Sequence, residues 1–414
     1  MTDDIRYQAR RWAWLPWTLI YVCCALLSFQ RASHCQRRPS LCMDVYWVEA
    51  WLVDSSHGLH ARGLLGVVTH LLAKNGPDVV ILNMLVIAVS IGITVTLVVG
   101  LYSRAMTLWA RLTIAVLLAS PLFALFYEEL GDPLMIAFAL FLIVAWCIRR
   151  TSRSVSILVS LVACLVVVAV HEAALFLLVP ALALISLGSR RPGRGEIVRY
   201  AALALPLLAA IIITKAPNLP ETAYRSYNSL SGEVIPRDTE PFPVYSQLLR
   251  DEAVNYFGSP VKILQFVLKF PRVWCITLVA LVLVSGLLAG GRPYILWTHW
   301  LYLSFCSSPL YVIAHDWGRF SIITFWLAVI TMWLRARDET PPGTRLSSVL
   351  RTVIPERLPP DAVLFGVGAA LILGAGALYP DFGINGMPAA SLPIVVPTLI
   401  AWASWRAWSN ANAA

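Results

Sequence analysis

Apolar runs recur along the whole chain, and the polar breaks between them are mostly short. About 20 consecutive apolar residues cross a bilayer as an α-helix. On that pattern, spans are predicted at 12–29, 78–101, 108–127, 133–148, 155–170, 173–188, 199–214, 273–290, 294–313, 320–334, 361–379 and 390–405. The expected fold is therefore all-α: a polytopic integral membrane protein of about 12 transmembrane helices, with residues 1–414 forming a single transmembrane domain. The run 154–188 is broken only by His171-Glu172. It is too long for one span, so it predicts two short helices turning at that pair.

Three segments fall outside this pattern. Residues 30–77 form an external segment in which apolar positions (Val45, Trp47, Val48, Trp51, Leu52, then Leu64, Leu65, Val67, Val68, Leu71, Leu72) recur at roughly helical spacing. That periodicity predicts helices lying along the membrane interface. Residues 215–272 place Tyr224, Tyr227, Tyr245 and Tyr256 among prolines and charges, as an external cap loop would. Residues 335–360 are rich in Pro and Arg and read as a cytoplasmic linker.

Composition agrees with a membrane assignment. Of 414 residues, 58% are hydrophobic and only 13% charged, whereas soluble domains are about a quarter charged. The net charge of +9 does not point to nucleic acid, because the basic residues sit in short clusters between apolar runs. With the N-terminus inside, the internal segments are net positive and the external ones net negative. This is the positive-inside arrangement, and it puts both termini in the cytoplasm. The first run follows Arg6, Arg10 and Arg11 and lacks a small-x-small cleavage site, so a retained signal anchor is expected. Cys35 and Cys42 share the first external loop, where an oxidising compartment permits a disulfide. The other six cysteines lie within apolar runs.

In this topology three polar clusters fall at span ends on the external side: FYEELGD at 126–132, HE at 171–172 and HDWGR at 315–319. Ionisable groups at membrane depth are costly and commonly mark a site or pathway. Arg319 beside Asp316 and His315 can hold a phosphate or carboxylate with its planar fork, or can simply pair with the acid and fix the hairpin. Glu172 is a candidate general base, with His171 beside it; the alternative is a turn wetted by headgroup water. Glu128, Glu129 and Asp132 can bind a divalent cation, deprotonate a hydroxyl or hold sugar hydroxyls, or merely end a helix. Arg62, followed by Gly63, can meet a lipid phosphate or snorkel to the headgroups. Asp44, Glu49 and Asp54 share the first external loop and remain unranked.

Several signatures are missing from the sequence. There is no GxxxxGK[ST] to drive transport with ATP, no HExxH or closed Cys/His zinc set, and no GxSxG elbow. No metal site or cofactor is expected beyond a divalent cation at the acidic cluster.

The RGLLG stretch at 62–66, the GDP turn at 131–133, HE followed by an apolar run to Pro180, and DWGR at 316–319 together resemble bacterial GT-C-type membrane glycosyltransferases. Within that group the resemblance is to polysaccharide and O-antigen repeat-unit polymerases. It implies a GT-C-like fold in the bacterial inner membrane and sugar transfer on the periplasmic face from a polyprenyl-phosphate or polyprenyl-diphosphate donor. Implied partners are the polyprenyl-linked sugar, membrane lipids and other polysaccharide-assembly proteins. Under this reading Glu172, Asp316 and Asp132 are the catalytic candidates. Arg319, Arg62, His171, His315, Glu128 and Glu129 are the substrate-binding ones. The rival reading is a transporter or flippase of lipid-linked oligosaccharide, in which the same charges line a path; a membrane acyltransferase is a third.

Overall fold

The computed structural model describes residues 14–32, 51, 63–72, 79–103, 105, 107–128, 130–148, 150, 153–171, 173–187, 275–289, 293–310, 317–335 and 360–378. Every regular element among the described residues is helical. In chain order they are α1 (Trp14–Ala32), α2 (Gly63–Leu72), α3 (Val79–Tyr102), α4 (Leu108–Ala119), α5 (Pro121–Glu128), α6 (Pro133–Ile148), α7 (Arg153–Val170) and α8 (Ala174–Leu187). Then come α9 (Cys275–Leu287), α10 (Pro293–Ser307), α11 (Trp317–Arg335) and α12 (Pro360–Leu378). The expected spans 199–214 and 390–405 lie outside the described residues, as do Cys35, Cys42 and nearly all of 215–272 and 335–360.

Sequence pattern and local chemistry account for several helix ends. The turn expected at His171-Glu172 separates α7 from α8. The single span expected at 108–127 is instead two helices, α4 and α5. The break is at Ser120, whose backbone is extended (φ −89°, ψ 162°). Pro121 follows it, and a proline disfavours the helical conformation in the residue before it. Thr107 starts α4 by accepting a hydrogen bond from the Ala110 N–H, an ordinary N-cap. α11 begins earlier than expected, at Trp317, so Arg319 sits inside its first turn.

The helices form a bundle with two distinguishable ends. α8 packs against α6, α7, α10 and α11, and α6 also packs against α3. At one end the start of α1, the close of α3, the start of α4 and the close of α11 meet. There the Arg111 guanidinium lies 5.5 Å from the ring centroids of Trp17 and Tyr102, and the Trp333 indole donates to Ser103 Oγ. The Trp333 ring reaches so close to Gly100 that a Cβ there would lie 3.1 Å from it. At the other end lie the α5–α6 turn, the α7–α8 turn and the first turn of α11.

Between the two ends runs an aromatic core in which Phe123 and Phe126 of α5, Phe138 of α6 and Trp326 of α11 contact one another. The Trp326 N–H donates to the Leu122 carbonyl at 2.7 Å, tying α11 to α5. Tyr127 of α5 and Thr94 of α3 are hydrogen-bonded through their hydroxyls.

The exterior is apolar. On α3 the large side chains Ile81, Met84, Leu85, Ile91, Val95 and Val99 face outward, while Asn83, Ser90 and Thr94 are buried. Outward Leu15, Leu19, Val22 and Leu26 line α1, and Val155, Leu158, Val162 and Leu165 line α7. Among the described residues one helix, Ile81–Tyr102, has both the length and the composition to cross a membrane; the other apolar helices have 10–17 such residues. α2 is a ten-residue apolar helix packed against α7, within the segment expected to lie at the interface.

Candidate functional site

The α5–α6 turn is built by Gly131, Asp132 and Pro133. Gly131 adopts a φ of 94°, a region that side chains with a Cβ avoid. Pro133 occupies the first helical position, where its missing N–H costs nothing. Asp132 caps the helix: its Oδ1 accepts the Leu134 N–H at 2.8 Å, and its carbonyl accepts the Met135 N–H at 2.9 Å. Capping explains one carboxylate oxygen and leaves the other for a different partner.

That partner comes from far along the chain. Arg319 Nη1 donates to Asp132 Oδ2 at 2.9 Å, and both side chains are buried. Arg319 reaches the carboxylate because α11 starts at the same end of the bundle as α6. The Trp326 anchor two turns further along α11 holds that register. A buried charge requires a paired, hydrogen-bonded partner, and each member of this pair supplies it for the other.

The third member arrives from the α7–α8 turn. His171 is buried, and its Nδ1 accepts the Ala173 N–H at 3.0 Å. A backbone N–H can only donate, so Nδ1 carries no proton and the proton of the neutral ring is on Nε2. That nitrogen lies 3.9 Å from Asp132 Oδ1. Asp132, His171 and Arg319 are thus brought together from three turns well separated in the sequence. Such a cluster can orient a guanidinium toward an anion, and it keeps a neutral imidazole N–H near a carboxylate.

A fourth contact was not expected from the pattern of the chain. The Trp51 indole donates to the Gly131 carbonyl at 2.8 Å and is 3% exposed. In sequence Trp51 is one of many apolar residues in 30–77, and nothing there distinguishes it. A second buried histidine, His299, lies inside the run 294–313, where an ionisable residue is itself a signal. Thr331 Oγ1 donates to the Leu327 carbonyl at 2.8 Å, so at its 3.0 Å contact with His299 it accepts from Nδ1–H. This pair lies further along α11, away from the Asp132 cluster.

Of the other candidates, Glu172, Asp316, His315, Arg62 and Glu129 lie outside the described residues, as do Asp44, Glu49 and Asp54. Glu128 closes α5, and its side chain is outside them too. Among the described residues no group of three His, Cys, Asp or Glu side chains is placed to hold a metal ion. No protein-family model, curated protein or solved structure matches this chain.

Proposed function

We propose that this chain is a multi-pass membrane glycosyltransferase or polymerase with a GT-C-like arrangement of about 12 spans. It transfers sugar from a polyprenyl-phosphate or polyprenyl-diphosphate donor to a growing surface polysaccharide. The reaction takes place on the periplasmic face of a bacterial inner membrane, and both termini are cytoplasmic. The observation that carries this reading is the meeting of Asp132, His171 and Arg319 in one buried cluster at a single end of the bundle. The apolar exterior of α1, α3 and α7 supports the membrane part: soluble monomers rarely expose apolar patches of this extent. The shorter helices fit by local thinning of the bilayer and by polar ends that reach the interface.

In the transfer, the acceptor hydroxyl oxygen attacks the anomeric carbon of the donor sugar. The bond from that carbon to the phosphate oxygen breaks, and the carrier phosphate leaves with the electron pair. Arg319, aimed by Asp132, offsets the negative charge that grows on the leaving phosphate, an electrostatic contribution already organised before the reaction begins. The hydroxyl proton goes to a carboxylate. We assign that role to Glu172 or Asp316, the sequence neighbours of His171 and of α11. Asp132 is given a positioning role instead, because its two oxygens serve the helix cap and the guanidinium.

The test is reconstitution of the purified protein in liposomes with a polyprenyl-phosphate-linked radiolabelled hexose and a polyprenyl-diphosphate-linked oligosaccharide acceptor. Labelled extended glycan and free polyprenyl phosphate are expected, with both lost in Arg319→Gln. Movement of intact labelled donor across the bilayer without cleavage would support the transporter instead.

A further inference from the structure

We infer that Trp51 is a positioning residue for the Asp132–Arg319 pair, acting through the Gly131 carbonyl; this rests on the reading of the site proposed above. The Gly131 carbonyl belongs to the peptide unit that leads directly into Asp132. An indole N–H held on that oxygen at 2.8 Å fixes the plane of the peptide. The peptide needs fixing, because Gly131 at φ 94° has no Cβ whose clashes would lock its torsions.

Pro133 has no N–H to donate, and the capping bonds to Leu134 and Met135 hold the carboxylate and carbonyl of Asp132. Because capping ties the Asp132 carboxylate to α6, rotation about the Gly131 torsions would shift Asp132 and the start of α6 together against α5, and with them Oδ2 against Arg319. Trp51 opposes that rotation from 80 positions away in the chain. Its burial means that water does not replace the bond when it is lost.

The experiment compares wild type, Trp51→Phe, Arg319→Lys and the double variant in the same liposomes, using the polyprenyl-phosphate-linked hexose as donor. Phenylalanine keeps most of the ring and removes only the N–H. The expected result for Trp51→Phe is a single-turnover rate at saturating donor lowered about tenfold, the rate equivalent of one buried hydrogen bond. The double variant should lose less than the product of the two single losses, because both act on one pair. A side chain that only stabilised the fold would give independent effects. A wild-type rate for Trp51→Phe, or losses that multiply, would overturn the inference while leaving the site reading intact if Arg319→Gln is dead.

If wild type and Arg319→Gln transfer alike, it is the site reading that fails. The nitrogen-15 resonances of the Arg319 guanidinium then decide the Trp51 link without any turnover. A shift in Trp51→Phe supports the link, and an unchanged signal overturns it.

Discussion

Arg319 and Asp132, 187 positions apart in the chain, are joined by a 2.9 Å hydrogen bond from Nη1 to Oδ2 in a site where both are buried. Buried ion pairs of this kind contribute little net stability, because desolvation offsets their attraction. Breaking one is another matter, since the survivor is left as an uncompensated charge. The pair therefore fixes where α11 sits against α6, and it holds a guanidinium in an orientation that a plain hairpin does not require.

Asp132 has two separable roles, and two substitutions divide them. Asparagine is as good an N-cap as aspartate, so Asp132→Asn should keep the start of α6 but break the buried ion pair with Arg319, at a cost of about 3–5 kcal/mol. Asp132→Ala should cost about 1 kcal/mol more, for the lost cap. Pairing Asp132→Asn with Arg319→Gln should recover most of the loss. Unfolding in detergent, followed by helical circular dichroism, measures all three.

Gly131 should tolerate no ordinary side chain. At φ 94°, Gly131→Ala is expected to cost about 1–2 kcal/mol from the left-handed backbone alone. Gly131→Asn should cost less, because asparagine visits that region more readily. Equal costs in the same unfolding measurement would count against the turn geometry.

The His299–Thr331 pair should be structural and independent of the Asp132 cluster. Thr331→Val keeps the shape but removes this acceptor for Nδ1–H, at an expected cost of about 1–3 kcal/mol. Thr331→Ser should stay near wild type. Sugar transfer by folded Thr331→Val should match wild type, which the liposome assay checks.

The sequence made the helical class plain because apolar runs and their punctuation are a local signal. The turn at His171 was legible for the same reason, as the one polar interruption of a long apolar run. The division of α4 from α5 at Ser120–Pro121 was not: the apolar run continues through the proline, so composition hides a break that backbone sterics make. The candidate site was legible in part as three polar clusters at the ends of apolar runs, three of whose members, Asp132, His171 and Arg319, meet at one end of the bundle. The pairing of Arg319 with Asp132 depends on tertiary packing that no local pattern carries. The same is true of Trp51, whose role comes from a hydrogen bond to a carbonyl 80 positions away.

The role proposed for Arg319, held by Asp132, is to receive the phosphate of a lipid carrier. Its most direct test is the affinity of polyprenyl phosphate for the purified protein in lipid nanodiscs. Wild type is compared with the charge-neutral double variant Asp132→Asn/Arg319→Gln, which removes the guanidinium without stranding a buried charge. The double variant should fold and bind polyprenyl phosphate about thirtyfold more weakly, as expected for losing hydrogen bonds to a charged group. Equal affinity in the two proteins would contradict it.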